Sequence, residues 1–376
     1  MKYYIIAGEA SGDLHASNLI KNIRLEDPDA DIRAWGGDRM QAQGAHIVKH
    51  FRDLAFMGFL EVVMNLRTIL GNLKWCKEDI ISYSPDMLIL VDYPGFNLRI
   101  ASFAKELGIP VFYYISPQVW AWKESRVEQI KRDVDKLYCI LPFEKAFYKK
   151  HNFESHFVGH PLLDAIQQFK EEDQEELHSK DERKLIALLP GSRKQEISKI
   201  LPVMAKVVDR FPDYRFVLAV APSMSIGFYE KYIGNTSNKI EFIEGKTYGV
   251  LTKATAALVT SGTATLETAL FRVPEIVCYK TSRLSYFLAK QLVKIPYISL
   301  VNLIVDKMIV PELIQSDCNP NRIQKELKSI LDGRSREVML KEYDDLIHQL
   351  GGGGASKETA RLMLSHYREL QKNKNS

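Results

Sequence analysis

Two short turns in the second half of the sequence combine small residues with side chains that suit an anion. Each turn follows an apolar run and precedes a helical pattern, LLPGSRKQEI in the first case and VTSGTATLETAL in the second. Free backbone N–H groups and the helix dipole favour an anion there, and an acid one helical turn later could accept hydrogen bonds from a ribose. Either turn alone is also typical of an ordinary strand-to-helix connection, but the pair indicates a nucleoside diphosphate. The residues assigned to this site are Gly191, Ser192, Arg193, Glu196, Ser261, Gly262, Thr263 and Glu267.

A carboxylate after an apolar run in the first half could act as a general base. Asp92 follows MLILV and is itself followed by Pro94 and Gly95. At the carboxyl edge of a buried strand it would face a cleft, where it could take a proton from a hydroxyl nucleophile. The alternative is an aspartate that forms a turn or begins a helix.

The segment AGEASGDL, residues 7–14, has the glycines of a phosphate-binding turn but also carries two acids. It does not match GxGxxG, and its carboxylates would stand where a pyrophosphate binds, which argues against a dinucleotide site. Glu9 and Ser11 suit sugar hydroxyls, and whether Glu9 contacts a donor or an acceptor stays open. We predict that Asp92 and Glu9 are catalytic. The predicted acceptor site comprises Ser11, Gly12, Asp13, Asn97, Ser116 and Gln118.

Residues 53–75 form the most apolar helical stretch, with apolar side chains on more than one face. A buried helix of the domain core is one interpretation, and an acyl-chain groove or membrane-facing patch is the other. Arg52, Arg67 and Lys74 would suit anionic head groups. The predicted patch comprises Phe56, Met57, Phe59, Leu60, Val63, Met64, Leu66, Ile69, Leu70 and Leu73.

Short apolar runs alternate with helical patterns along both halves of the chain, which is typical of βαβ units and parallel sheets. The predicted strands lie in YYIIAG, DIRAWGG, MLILVDYPG, PVFYYISP and KLYCILP, and then in KLIALLPGSR, RFVLAVAP, AALVTSGTATLETAL and EIVCYK. Between the two groups, eleven of the fifteen residues from 170 to 184 are charged, which indicates a linker. We therefore predict an α/β fold with two doubly wound, Rossmann-like domains that face each other across a cleft.

The predicted boundaries follow from this division. They are 1–168 for the first domain, 169–184 for the linker, 185–350 for the second domain and 351–376 for a helical tail. The four glycines at 351–354 would act as a hinge, so the tail could pack on the first domain or swap between chains.

Composition narrows the class of protein. The 376 residues are 46% hydrophobic and 26% charged, so the chain can bury ordinary globular cores. A net charge of +4 does not argue for a nucleic-acid partner but suits an anionic ligand or membrane face. Four widely spaced cysteines disfavour a zinc site and a disulfide framework. Since we find neither a signal-peptide pattern nor a spanning apolar run, we expect a cytoplasmic protein.

Seven motifs together resemble those of the bacterial lipid A disaccharide synthase family. They are AGEASGDLHA, GFLEVV, VDYPGFN, SPQVWAW, VGHP, LLPGSRKQEI and SGTATLE, in the family's order and over roughly residues 3–350. The resemblance implies an inverting glycosyltransferase with the two-domain GT-B fold. It also implies the substrates UDP-2,3-diacylglucosamine and 2,3-diacylglucosamine 1-phosphate (lipid X), joined into the β-1,6-linked lipid A disaccharide 1-phosphate with release of UDP.

The resemblance assigns roles to individual residues. Asp92 corresponds to the family's candidate base for the acceptor's 6-hydroxyl, and Arg193 to its diphosphate-binding arginine. The residues that match the UDP-binding loop, its ribose acid and an asparagine near the nucleotide are Ser261, Gly262, Thr263, Glu267 and Asn302. Peripheral contact with the inner membrane is implied as well. The reaction is expected to need no metal or cofactor, because helix dipoles and basic side chains would take up the charge of the leaving UDP.

Two other functions stay open on sequence alone. A UDP-N-acetylglucosamine 2-epimerase-like enzyme would share the fold but need no acyl groove. A non-catalytic nucleotide- or lipid-binding protein would tolerate the loss of Asp92. The role of His160 in VGHP and a possible homodimer are likewise undecided.

Overall fold

The computed structural model describes residues 1–54, 66–172, 181–222, 224–282, 286–287, 291 and 295–374. The chain forms two compact units. The first comprises Met1–Gln167 together with Leu350–Ser376, and the second comprises Gln168–Gln349. The second unit is therefore inserted into the chain of the first.

A parallel sheet of seven strands forms the centre of the first unit, in the order β3-β2-β1-β4-β5-β6-β7. Its strands are β1 (Lys2–Ala7), β2 (Asp31–Gly36), β3 (His46–His50), β4 (Met87–Val91), β5 (Val111–Tyr114), β6 (Lys136–Cys139) and β7 (His156–Phe157). Its helices up to the boundary between the units are α1 (Ala10–Glu26), α2 (Asp38–Ala42), α3 (Leu66–Tyr83), α4 (Pro94–Glu106), α5 (Val119–Trp122), α6 (Arg126–Asp133), α7 (Pro142–Lys150) and α8 (Pro161–Glu172). A short 3₁₀ helix spans Phe51–Leu54.

Helices cover both faces of this sheet, which explains why β1, β4 and β5 are apolar over nearly their whole length rather than alternating. Tyr3 and Ile5 of β1 pack into one core cluster with α1. Tyr4 and Ile6 point to the opposite face and pack into a second cluster with α3, α4 and α6. Successive residues of a strand point to opposite faces, so a strand covered on both sides buries all of them.

The second unit repeats this plan with six parallel strands in the order β10-β9-β8-β11-β12-β13. Its strands are β8 (Lys184–Leu189), β9 (Tyr214–Val220), β10 (Ile240–Glu244), β11 (Ala254–Thr260), β12 (Glu275–Tyr279) and β13 (Glu312–Ile314). Its helices are α9 (Lys194–Val208), α10 (Ile226–Ile233), α11 (Thr247–Lys253), α12 (Thr263–Leu270), α13 (Leu300–Val305), α14 (Pro320–Leu331) and α15 (Gly333–Gln349), with a 3₁₀ helix at Gly234–Lys239.

The last helix, α16 (Ala355–Lys374), returns to the first unit. Asp164 of α8 caps the N-terminus of α16. Its carboxylate accepts hydrogen bonds from the backbone N–H groups of Gly354 (2.6 Å) and Ser356 (2.8 Å). The residues of α16 that join the core cluster around Tyr3 and Ile5 are Ala360, Met363 and Leu364. A negative charge at a helix N-terminus satisfies free N–H groups and favours the helix dipole.

The predicted fold class is confirmed, because both units are doubly wound parallel sheets covered by helices. All nine strands predicted from apolar runs are present as inner strands of the two sheets. The prediction missed β3, β7, β10 and β13, which are the edge strands. In the predicted linker, α8 extends to Glu172 and β8 begins at Lys184, while residues 173–180 lie outside the described residues.

Candidate active site

In each sheet, the strand order reverses between two neighbouring parallel strands, and the predicted site residues follow those strands. β1 pairs with β4, with Ala7 opposite Val91, and β8 pairs with β11, with Leu189 opposite Val259. The loops after two such strands leave in different directions and open a crevice, which is where open α/β sheets bind their ligands. Each unit therefore has one candidate site, at the carboxyl ends of its two central strands.

The loop after β1 packs closely against the loop after β4. A Cβ atom on Gly8 would stand 2.4 Å from the Tyr93 ring, so a larger residue does not fit there. A Cβ atom on Gly12 would lie 3.2 Å from the Ala7 side chain, which explains the close start of α1 against the end of β1. The glycines that suggested a phosphate turn thus serve close packing. Ser11 is exposed in the first turn of α1.

The main chain at Asp92 is held in an unfavourable conformation. Asp92 and Tyr93 have φ values of 45° and 51°, and Ile115, just after the neighbouring strand β5, has a φ of 62°. Left-handed conformations of residues other than glycine cost roughly 1–3 kcal/mol each and persist only where the surroundings impose them. Here the Asp92 carbonyl oxygen accepts hydrogen bonds from the Tyr113 hydroxyl (2.5 Å) and the Asn97 side-chain amide (2.7 Å).

The Asp92 carboxyl group has the electrostatics of a base that works near neutral pH. Burial, and secondly the negative charge of Glu9, raises the pKa of Asp92 to about 7. Glu9 is the residue at the N-terminus of α1 and is half-buried. The predicted catalytic pair thus comes together, with one carboxylate making the other harder to ionise.

Two residues of the predicted acceptor site have structural roles. Asp13 is 3% exposed, and its carboxylate accepts hydrogen bonds from the backbone N–H groups of Gly37 (2.8 Å), Met40 (3.1 Å) and Arg39 (3.2 Å). It therefore fixes the start of α2, and we no longer assign it to substrate. Ser116 is buried, and its hydroxyl is 2.7 Å from that of Tyr148.

The remaining acceptor residues differ in exposure. Asn97 is fully buried and donates to main-chain oxygens, so it supports the site from behind. Gln118 is exposed just after β5, at the start of α5. Of the six predicted residues, Ser11 and Gln118 are thus the side chains that are free to reach a ligand at the surface of the first unit.

In the second unit, the first predicted turn has the expected position after β8. Gly191 has a φ of 108°, and a Cβ atom there would lie 2.6 Å from the Glu196 carboxylate. Ser192 follows, and Arg193 immediately precedes α9, with its guanidinium 2.8 Å from Glu196. The Arg193 side chain is 60% exposed, so it can leave Glu196 and contact an anion.

The second predicted turn follows β11. Ser261 donates to the Ile298 carbonyl at 2.7 Å, and Gly262 has a φ of 153° and precedes α12. Gly262 and Thr263 are exposed, which leaves the N-terminus of the helix accessible. One turn on, the Tyr248 hydroxyl donates to Glu267 at 3.1 Å, while burial raises the pKa of Glu267.

Asn302, predicted to lie near a nucleotide, is fully buried and uses both ends of its amide internally. Its oxygen accepts from the backbone of Ile309 (2.8 Å), and its nitrogen donates to Glu312 (2.9 Å). Glu312 also accepts from the backbone of Ile298 (3.0 Å) and from the Ser299 hydroxyl (2.8 Å). Asn302 and Glu312 therefore hold the segment that Ser261 contacts, which is a correction of the predicted role.

The apolar stretch 53–75 is described only in part. Phe56, Met57, Phe59, Leu60, Val63 and Met64 lie outside the described residues, as does the side chain of Leu66. Leu73 is buried, and the partly buried Ile69 packs against the same core. Leu70 is 53% exposed. It lines a groove of about 540 Å³ together with Leu73, Lys74, Lys77, Glu78, Ile81, Arg99 and Phe103.

No described helix is both long and apolar enough to span a bilayer. Within the same residues, no three side chains of the types that ligate metals come together.

Three supporting residues were not predicted from the sequence: Tyr113, Tyr248 and Glu312. Tyr113 lies in an apolar strand, where a tyrosine looks like any other core residue, and the other two stand in short segments without a motif. Each is identified by the hydrogen bond that it makes to a residue far along the chain.

Comparisons with known proteins agree over nearly the whole chain. The model of a family described as lipid-A-disaccharide synthetase matches residues 3–365. The lipid-A-disaccharide synthase of Syntrophus aciditrophicus is 39% identical over 369 residues, with 96% of each chain covered. That of Myxococcus xanthus is 37% identical over 368 residues at the same coverage.

Solved structures with low sequence identity share the fold. The UDP-GlcNAc 2-epimerase of Neisseria meningitidis, bound to UDP-GlcNAc, has a TM-score of 0.68 at 13% identity and covers 97% of this chain and all of its own. A glycotransferase of kitacinnamycin has a TM-score of 0.67 at 14% identity, covering 97% of this chain and 98% of its own. At such identities the likeness concerns the fold alone.

We expect the Asp92 carboxyl to titrate near pH 7, and Glu9→Gln to lower its pKa, because glutamine removes a neighbouring negative charge and keeps the volume. Carboxyl-carbon NMR over a pH series measures both values. Glu124→Gln is the control, since Glu124 pairs with His151 elsewhere in the same unit.

The raised pKa of Asp92 also makes the stability of the folded protein depend on pH. An unfolded aspartate has a pKa of about 3.9. The stability that this proton contributes is therefore fully present below about pH 4 and is lost as the pH rises through 7. An Asp92 pKa near 4, or an Asp92 pKa that is unchanged in Glu9→Gln, would contradict the raised pKa assigned to Asp92 and its dependence on Glu9.

Proposed function

Because the chain belongs to the lipid-A-disaccharide synthetase family, we propose that Asp92 is its catalytic base and Arg193 its diphosphate ligand. The protein is a glycosyltransferase that condenses UDP-2,3-diacylglucosamine with 2,3-diacylglucosamine 1-phosphate. The products are the β-1,6-linked disaccharide 1-phosphate and UDP. The epimerase-like and non-catalytic alternatives are not retained, since family and relatives agree over the chain.

The observation that carries the proposed base is the place of Asp92 at the carboxyl end of β4 beside Glu9, where burial and the neighbouring charge raise its pKa. A base with a pKa of about 7 is ionised in much of the protein at neutral pH. It still has a useful affinity for the proton of a sugar hydroxyl. An ordinary aspartate, with a pKa of about 3.9, would be a weaker base. In this proposal Glu9 tunes Asp92, and Ser11 and Gln118 contact the acceptor sugar.

The donor proposal rests on charge and exposed N–H groups in the second unit. The N-terminus of α12, opened by Gly262 and Thr263, suits the diphosphate, and the exposed Arg193 fork adds a second set of donors. Glu267, held by Tyr248, would accept hydrogen bonds from the ribose. Pairing with the phosphates would then replace the contact between Arg193 and Glu196.

The proposed step is an in-line displacement with inversion. The oxygen of the acceptor's 6-hydroxyl forms a bond to the anomeric carbon of the donor, from the face opposite UDP. Its proton passes to the Asp92 carboxylate. The bond between the anomeric carbon and the UDP oxygen breaks, and the electron pair leaves with the diphosphate, whose charge Arg193 and the α12 N-terminus stabilise.

We further propose that the groove between α3 and α4 makes peripheral contact with the anionic cytoplasmic face of the inner membrane. Its apolar wall includes the exposed Leu70 and Ile81, and Lys74, Lys77 and Arg99 line the same groove. Apolar side chains that enter the interface and basic side chains that attract anionic lipids act together in such binding.

Asp92→Ala should abolish disaccharide formation from UDP-2,3-diacylglucosamine and lipid X, because it removes the proposed acceptor of the hydroxyl proton. UDP affinity should stay within about tenfold of wild type, roughly 1.4 kcal/mol. Product formation is followed by thin-layer chromatography, and UDP binding by calorimetry. Normal turnover in this variant would remove Asp92 as the base.

Arg193→Ala should weaken UDP binding by about tenfold to a hundredfold, as expected for the loss of a charge-assisted contact worth about 1.5–3 kcal/mol. Arg183→Ala is a matched control, because Arg183 is also an exposed arginine of the second unit but pairs with Asp181. Calorimetry on both variants measures the difference. Unchanged affinity in Arg193→Ala would contradict the donor assignment.

Leu70→Asp should reduce binding to vesicles that contain anionic lipid by about tenfold, because it replaces an apolar contact with a repelled charge. Leu25→Asp is the control, since Leu25 is 73% exposed on α1, away from the groove. Co-sedimentation at low and high salt measures both. Equal binding of the two variants would exclude the groove as the contact surface.

A further inference from the structure

We propose that Tyr113 is a positioning residue for the base: its hydroxyl, together with the Asn97 amide, fixes the main chain at Asp92 so that the carboxylate is presented for proton transfer. The inference rests on the proposed role of Asp92. It assigns a role in the reaction to Tyr113, a buried residue that contacts neither substrate and belongs to none of the sequence motifs.

Two donors meet on one oxygen atom. The Tyr113 hydroxyl lies 2.5 Å from the Asp92 carbonyl oxygen, and Nδ2 of Asn97 lies 2.7 Å from the same atom. Asn97 is also 3.3 Å from the Val91 carbonyl and 3.4 Å from the Ile6 carbonyl, at the ends of β4 and β1. The Asp92 carbonyl is thereby fixed to β5 on one side and to α4 on the other.

These two hydrogen bonds hold the main chain at the point where its conformation is unfavourable. The peptide group whose carbonyl is held joins Asp92 to Tyr93, and both residues are left-handed. Without glycine, a chain adopts two such residues in succession only when other contacts impose them. The hydrogen bonds from Tyr113 and Asn97 to this carbonyl fix the orientation of the peptide plane. They therefore also fix the direction in which the Asp92 side chain leaves the backbone.

The Tyr113 hydroxyl hydrogen-bonds to the Asp92 carbonyl oxygen and also interacts with the Asn97 side chain. The side chain is fully buried in β5, beside Phe112, which fills the equivalent place on the opposite face without a hydroxyl. A buried hydroxyl is retained at a cost unless it makes a hydrogen bond. Glu9 faces the Asp92 carboxyl from α1, and Tyr148 and Arg126 act on the Tyr113 hydroxyl from α7 and α6.

The test is Tyr113→Phe in the full-length protein, which removes one oxygen atom and keeps the ring. We expect kcat to fall about tenfold, as for the loss of one hydrogen bond, while UDP affinity stays within about twofold. The acidic limb of the kcat/KM profile should move to lower pH by about half a unit, because a relaxed carboxyl group is better solvated. A purely structural role would leave that limb in place.

The matched control is Tyr138→Phe. Tyr138 lies on the neighbouring strand β6, is equally buried, and bonds His366 of α16 at 2.9 Å. This variant should lose stability but keep the wild-type kcat and pH profile. If Tyr113→Phe does not fold, Asn97→Ser removes the second donor from the same carbonyl oxygen and should give the same loss of kcat and the same shift.

Two results would overturn parts of the argument separately. Wild-type kcat and pH profile in folded Tyr113→Phe, with Asp92→Ala inactive, would refute positioning by Tyr113 and leave the proposed base standing. Full activity of Asp92→Ala would instead refute the base itself, and the positioning role with it.

Discussion

The parallel pairing of β1 with β4 and of β8 with β11 is the constraint on which both candidate sites depend. Hydrogen bonding in register brings Ala7 level with Val91 and Leu189 level with Val259. The loops that follow therefore start side by side, although more than eighty residues separate Ala7 from Val91 along the chain. Glu9 can raise the pKa of Asp92 only because these two strands are neighbours. The order of the strands in the sheet is thus what brings the reactive side chains of each candidate site together.

Carboxylates that bind backbone N–H groups then fix the loops and helices around the sheets. Asp13 holds the start of α2, Asp164 the start of α16, and Glu312 the segment at Ile298. Leaving a buried donor or acceptor without a partner costs about 1–3 kcal/mol, so each of these contacts selects one loop conformation strongly. Asp92 differs from them, because the long-range hydrogen bonds that hold its loop go to its carbonyl oxygen and not to its carboxylate.

The sequence was informative where a physical signal is strong over several residues. Inner strands are covered on both faces, so most contain a run of apolar residues such as MLILV, and all nine were predicted. Edge strands are covered less, and HIVKH in β3 contains too many polar residues to stand out. The site residues at loops were found by residue type and spacing. Tyr113 could not be found in this way, because its partner is a main-chain oxygen that only the folded sheet brings near. For the same reason, Asp13 and Asn302 were given roles toward ligands although both hold the backbone.

The insertion of the second unit between residues 167 and 350 has a consequence for the order of events during synthesis. Proteins emerge from the ribosome N-terminus first, and domains generally fold as units as they emerge. The second unit is complete in sequence before α16 has been made. The first unit begins earlier but ends later, because Ala360, Met363 and Leu364 supply part of the core around Tyr3 and Ile5. Until α16 has been made, a nascent chain therefore lacks the helix that covers this apolar face of α1 in the folded protein.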